Sequence, residues 1–517
     1  MTANRAALDS ATLAFIAVLA LMTGARIAAL IYSPLGLYYD EAQYWAWSRT
    51  FDWGYFTKPP MIAWVIGATT TLVGTDVEWA VRLGAPLAHA IAATAIYGLG
   101  RRTFGAWPGF WAALGWLLLP GVSLSSSLIS TDALLLPMWA LSLYAMWRLL
   151  ETRSWAWAIA LGFFFGVGVL AKYAMLYFIL CTAIAAWKLP PVRQALANGR
   201  GWAAGAIGIV VVSPNIWWNV QHGFATARHT ASNARLDIND LFNIDELFEF
   251  ITSQAGVIGP IVFAALIWAL WRAMRRASGL SFEDKFLISY IAPPLACVAL
   301  IAFVSRANAN WAAVAFPAIV VWVTGSLFPS VAGRRWLVGS AVVNALIAGI
   351  VGVLVVAYPA ISNRAKNIAG TRGWDETAHE IALRAAVQPG DPPFSAVLVD
   401  DRATYYELNY YWRDARRAGA PLPPLRMWLL RGEAHNSAEA SDPMRPEEGA
   451  RVLVVHLRRD YLPFVSGDFS VFRTVEHLTV PLGGGRNREM EISVGEGFAP
   501  APRDEAFMER LNAPSGD

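Results

Sequence analysis

Charge is what this chain has least of. Only 15% of its 517 residues are Asp, Glu, Lys or Arg, against roughly 25% in an ordinary soluble domain. Its 41 basic and 38 acidic residues leave a formal net charge of +3, which gives nucleic acid nothing to bind. Cysteine is nearly missing. Cys181 and Cys297 both sit in apolar segments, which excludes a disulfide framework and a thiolate zinc site. Neither a GxxxxGK[ST] loop nor a strand-bound GxGxxG occurs, so a nucleotide-driven pump is excluded as well. HExxH is absent, and no metal site is expected beyond a divalent ion held weakly by lone carboxylates. There is no internal repeat.

Apolar residues fill the space that charge leaves. They make up 56% of the chain, with 24 tryptophans and a mean hydropathy of +0.41. This is the composition of a polytopic α-helical membrane protein, with aromatic rings anchoring its interfaces. Segments of near-spanning length lie at 12–32, 79–100, 106–121, 131–150, 155–171, 173–188, 202–220, 256–272, 286–304, 311–328 and 336–358. They predict about 11–13 transmembrane helices. The first run lacks a small-residue cleavage site and reads as a retained helix. The stretch 60–74 is apolar but brief.

Basic residues mark every second connection: Arg101/Arg102, Arg148/Arg153, Lys188/Arg193/Arg200, Arg272/Arg275/Arg276 and Arg334/Arg335. By the positive-inside rule these ends and the N-terminus are cytoplasmic. Loops 33–78, 122–130, 221–255 and 305–310 then face outward. Residues 1–358 are thus expected to form the membrane domain, and 359–517 a soluble α/β domain on the outer side. Within the latter, strands are expected at 396–399 and 452–457, and helices at 374–387 and 403–413.

The densest chemistry lies in YYDEAQYWAWSRTFDWGYFTKPP, residues 38–60. A helix starting here would align Asp40, Tyr44, Trp47 and Phe51 on one face. A carboxylate on such a face suits a general base for a sugar or lipid hydroxyl, with Glu41 as its neighbour. The bland alternative pairs Asp40 with Gln43 as a helix cap. Tyr39, Tyr44, Trp47 and Tyr55 supply aromatic walls. Lys58, on the stiff backbone before Pro59–Pro60, suits a lipid-linked phosphate or merely snorkels. Asp132, at the outer start of a span, suits either a site or the helix dipole. Lys172 follows a Gly-rich apolar run. Arg228 and Arg306 are basic residues on the side that should be poor in them, which points to an anionic ligand, and His229 stands next to Arg228 as a further candidate.

YYDEAQYWAWS, FTKPPMIAW (56–64), STDALLL (130–136), GVGVLAK (166–172), SPNIWWNVQHGF (213–224) and RANANWAAVAFP (306–317) together resemble lipid-linked-sugar glycosyltransferases of the C-type membrane fold. That group includes the aminoarabinose transferases of lipid A and the rhizobial lipopolysaccharide galacturonosyltransferases, with protein O-mannosyltransferases more distant. The resemblance covers about residues 10–320. It implies an inverting transfer from a polyprenyl-phosphate sugar to lipid A, lipopolysaccharide or another envelope acceptor, at the periplasmic face of a bacterial inner membrane. Asp40 falls on the family's base, and Lys58 lies beside the donor phosphate. Asp132 and Lys172 fall on a further acid and lysine. No organic cofactor is implied, and a monomer among membrane lipids is expected. Thr57 and Gln43 stand where the aminoarabinose enzymes carry an acid and an arginine, which points away from that sugar. The competing class is a transporter or flippase of lipid-linked sugars, which would place its polar residues near the bilayer midplane.

Overall fold

The computed structural model describes residues 8–232, 242–361, 370–386, 391–457, 459–483 and 485–512. Helices α1 (Ser10–Ile31), α2 (Tyr39–Trp47), α3 (Met61–Val73), α4 (Glu78–Arg82), α5 (Gly84–Phe104), α6 (Ala106–Leu118) and α7 (Pro120–Ser125) come first. Then follow α8 (Thr131–Thr152), α9 (Trp155–Ala171), α10 (Tyr177–Lys188), α11 (Pro190–Leu196), α12 (Gly199–Gln221) and α13 (Ala225–Ser232). The helical part ends with α14 (Ile244–Ile258), α15 (Pro260–Arg275), α16 (Phe282–Val304), α17 (Phe316–Leu327) and α18 (Val331–Ile361). The chain divides into two compact units, Met1–Ser33 with Phe51–Val356, and Pro34–Thr50 with Ala357–Asp517. The expected outer loop 33–78 is therefore split, because 34–50 belongs to the second unit.

All eleven apolar segments are largely helical, and seven helices among the described residues are long and apolar enough to cross a membrane. Two bent pairs, Tyr173–Lys188 with Pro190–Leu196 and Ile244–Ile258 with Pro260–Arg275, raise that to nine. The expected span at 256–272 straddles the second bend of 118°. Gly259 there takes φ 88° and Pro260 opens a new helix, as a proline at the first helical position does. Segment 106–121 is cut at Leu119, before Pro120. Helix α3 has 13 residues, about 20 Å at 1.5 Å per residue, too short for a bilayer core.

Helices α9 and α12 approach closely because small residues meet. A Cβ on Gly162 would lie 2.2 Å from the Ala204 carbonyl oxygen. Gly162→Val should force these backbones apart and cost about 1–3 kcal/mol. Thermal unfolding in detergent would show this as a clear drop, and an unchanged transition would contradict the close contact.

The second unit is built on a sheet of β1 (Ala396–Val399), β2 (Leu425–Met427), β3 (Val452–His456), β4 (Phe469–Gly483) and β5 (Arg486–Phe498), in the order β2-β1-β3-β5-β4. The strand β1 is parallel to β2 and β3, and every residue of β1 and β3 is buried. Continuous apolar runs such as AVLV are what doubly covered parallel strands require. Helix α19 (Trp374–Ala385) precedes β1, and α20 (Arg402–Tyr411) follows it. The β4–β5 hairpin turns around Gly483 and Gly485, both at positive φ. It was not foreseen, since β4 is an exposed edge strand without a buried run.

Candidate active site

In the second unit the candidate residues lie on helix α2. Its N-cap is Tyr38, whose N–H donates to Glu41 Oε2 at 3.0 Å. Glu41 is 2% exposed and acts as the capping acid, which satisfies an orphan donor of the first turn. Asp40 therefore has no capping duty, contrary to the Asp40–Gln43 alternative. Its carboxylate Oδ1 instead accepts from Arg402 Nη2 at 3.0 Å, and Gln43 Oε1 accepts from Arg402 Nη1 at 2.9 Å. The guanidinium also lies 4.9 Å from the centre of the Tyr39 ring.

Arg402 is the first residue of α20, and Asp401 caps that helix by accepting from Thr404 N–H at 3.0 Å. Burial works against the charge of Arg402, but Asp40 and the tyrosines Tyr39, Tyr44 and Tyr406 outweigh it and raise its pKa. Burial likewise pushes the Tyr38 phenol up, helped by its hydrogen bond to Tyr39. Tyr44 and Trp47 are buried. The Trp47 indole donates to Ser437 Oγ at 2.9 Å, and Trp45 packs edge-on against Tyr410 at 5.0 Å. These two contacts seat α2 on the second unit.

In the first unit, a short loop carries Tyr55 and Lys58. Tyr55 N–H donates to the Lys58 carbonyl at 3.1 Å, and Pro60 starts α3. Helix α12 and the segment after it hold this loop from behind. Asn215 Nδ2 donates to the Trp53 carbonyl at 2.7 Å, and Thr226 Oγ1 donates to the Tyr55 carbonyl at 2.6 Å. The Tyr173 hydroxyl donates to Asn215 Oδ1 at 3.0 Å and accepts from Asn219 Nδ2 at 3.1 Å. Asn215, Asn219 and Thr226 are buried. Gly54 admits the Trp218 ring, which a Cβ would meet at 2.4 Å. Tyr55 is itself buried, and burial pushes its phenol up to about 12.

A second cluster in this unit joins three motifs. Asp132, in the first turn of α8, accepts from Lys172 Nζ at 2.7 Å through Oδ1 and from Asn310 Nδ2 at 2.8 Å through Oδ2. Lys172 is the C-cap of α9 in extended conformation, with φ −162°. Its ammonium is therefore matched to a carboxylate rather than standing alone. Arg228 folds back over Gly223, and Arg306 is exposed just past α16. The side chain of His229 lies outside the described residues. Among the described residues, no three His, Cys, Asp or Glu groups gather as a metal ion would need.

Arg402, Asn310, Asn215, Asn219 and Thr226 were not among the residues singled out from sequence. The two asparagines on α12 carried a signal, since polar groups four apart in an apolar helix mark an inward face. Asn215→Ala should take this donor from the Trp53 carbonyl and the acceptor from the Tyr173 hydroxyl, which keeps its bond from Asn219, at about 1–3 kcal/mol. If the loop serves a donor, its KM should also rise. Thermal unfolding with donor titration tests both, and unaltered values in each would remove the network's role.

A family model described as dolichyl-phosphate-mannose-protein mannosyltransferase matches residues 57–218. The chain is 35% identical over 409 residues to the lipid A galacturonosyltransferase RgtD of Rhizobium johnstonii, covering 77% of this chain and 83% of the relative. The crystal structure of ArnT from Cupriavidus metallidurans bound to undecaprenyl phosphate matches with a TM-score of 0.59. That match covers 95% of this chain and 99% of the other, at 16% identity. The apo form of the same protein matches at 0.57. At this identity the likeness to ArnT concerns the fold alone.

Proposed function

We infer the reaction from one premise: the chain belongs to the family of membrane-embedded glycosyltransferases that includes the rhizobial lipid A galacturonosyltransferase. It is a glycosyltransferase of the C-type membrane fold. The proposed reaction moves a uronic acid, galacturonic acid by the relative's name, from a polyprenyl-phosphate carrier to lipid A. The periplasmic face of the inner membrane is the proposed side, resting on the alternation of basic loops. The two proposed domains are a membrane domain and an outer α/β domain, and the compact unit built on the C-terminal sheet holds both Asp40 and Arg402.

Asp40 is proposed to take the proton from an acceptor hydroxyl as its oxygen attacks the anomeric carbon. The C–O bond to phosphate breaks on the opposite face, which inverts the configuration. Polyprenyl phosphate leaves with its electron pair, and Lys58 balances the growing charge. Tyr39 offers a ring beside the base. Asp132, held by Lys172 and Asn310, is assigned to the donor's surroundings, with Arg228, His229 and Arg306 as outer basic groups. The observation that carries this reading is the state of Asp40: relieved of capping by Glu41 and fixed by Arg402 at 3.0 Å.

The test uses the purified full chain in lipid, with undecaprenyl-phosphate galacturonate as donor and lipid A as acceptor. Released undecaprenyl phosphate and the mass of the product lipid are followed together. Release coupled to a heavier lipid A supports the transfer. Tight donor binding without release would favour transport of the lipid-linked sugar instead.

A further inference from the structure

We propose that Arg402 recognises the acidic group of the donor sugar, binding the carboxylate of a uronic acid at the ring-oxygen edge next to the carbon that Asp40 serves. The inference rests on the reading of Asp40 as the base and adds a specificity-determining residue to it.

The argument starts from what the guanidinium has left to give. Arginine carries five N–H donors in a planar fork. The bonds to Gln43 and Asp40 are its two hydrogen bonds to other side chains among the described residues, so donors remain. Its side chain is 29% exposed and that of Asp40 36%, so both reach the surface of this unit. The position is rigid: the capped start of α20 fixes the backbone, and the Tyr39 ring supports the plane. A planar, charged, pre-set fork is the preferred partner for a carboxylate.

The chemistry of inversion then limits what the fork can serve. The base and the leaving phosphate lie on opposite faces of the anomeric carbon, so a cation bonded to the base is on the wrong side for the phosphate. A neutral sugar would leave the remaining donors of the fork without a charged partner. A uronic acid bears its carboxylate on C5, which the ring oxygen joins to the reacting carbon.

The experiment compares two donors that differ only at C6: undecaprenyl-phosphate galacturonate and undecaprenyl-phosphate galactose. Full-length wild type, Arg402→Lys and Arg402→Gln are assayed in lipid with lipid A as acceptor. Wild type should favour the uronate by about 10² or more in kcat/KM, as expected when a polar group built for a partner is left without it. In Arg402→Gln that preference should collapse at least tenfold, through the donor KM as well as kcat, and Arg402→Lys should recover part of it. Equal losses with both donors would show that Arg402 serves Asp40 alone and overturn the inference while leaving the transferase reading intact. A change confined to the acceptor KM would also overturn it, by assigning the fork to an anion of the acceptor. A wild type that uses galactose as well as galacturonate would overturn both the inference and the uronate reading, with the base untouched. Unfolding temperatures of the variants separate misfolding from each of these results.

Discussion

Asp40→Asn should abolish nearly all transfer while leaving the fold intact. Loss of a general base removes about 10²–10⁴ in rate, so kcat should fall by that factor. Three features make the experiment clean. Asn is isosteric and its Oδ1 still accepts from Arg402, which now holds the carboxylate at 3.0 Å. The cap of α2 is supplied by Glu41, so the helix keeps its start. The anchors Trp45 and Trp47 lie away from the substitution. Glu41→Gln is the natural comparison, because a glutamine oxygen can still accept from Tyr38 N–H. It should stay within a few-fold of wild type. Single-turnover release of polyprenyl phosphate measures both. If Asp40→Asn kept its rate and Glu41→Gln lost it, the roles of the two acids would be reversed.

That pair of acids also shows how far the sequence could be read. Hydropathy placed the apolar segments well, because twenty apolar residues in a row have few alternatives. Hydropathy does not reveal where a run is broken, so 106–121 and 256–272 were read as continuous across Pro120 and Pro260. The same blindness to exact boundaries affected α2. A cap is legible only when the first helical residue is known. A shift of two residues moved the capping role from Asp40–Gln43 to Tyr38–Glu41. The motif residues could be found because their spacing is local. Arg402 could not, since it lies 362 positions from its partner and reads locally as an ordinary residue after the cap Asp401. Helix α2 belongs to the same compact unit as the C-terminal sheet, and a reading in chain order assigned it to the membrane domain. Asp132 and Lys172 were each recognised alone. Their ion pair, and the hold of Asn310 on it, required the fold.

Lys58→Ala is expected to have the second large effect, lowering kcat/KM by about 10²–10³ if the lysine stabilises charge on the departing phosphate. Lys172, by comparison, is matched by Asp132 at 2.7 Å, so much of its field is cancelled close to its source. The loop should survive the change at Lys58, because its backbone is held by Asn215 and Thr226 through the Trp53 and Tyr55 carbonyls, and the Lys58 side chain takes no part in those bonds. Loss of the charge should also weaken the hold on product. The inhibition constant of undecaprenyl phosphate should rise in Lys58→Ala, and Lys58→Arg should restore part of it, since a guanidinium still pairs with phosphate. A fall in kcat with no change in product inhibition would therefore remove Lys58 from the phosphate and leave it a role in shaping the loop.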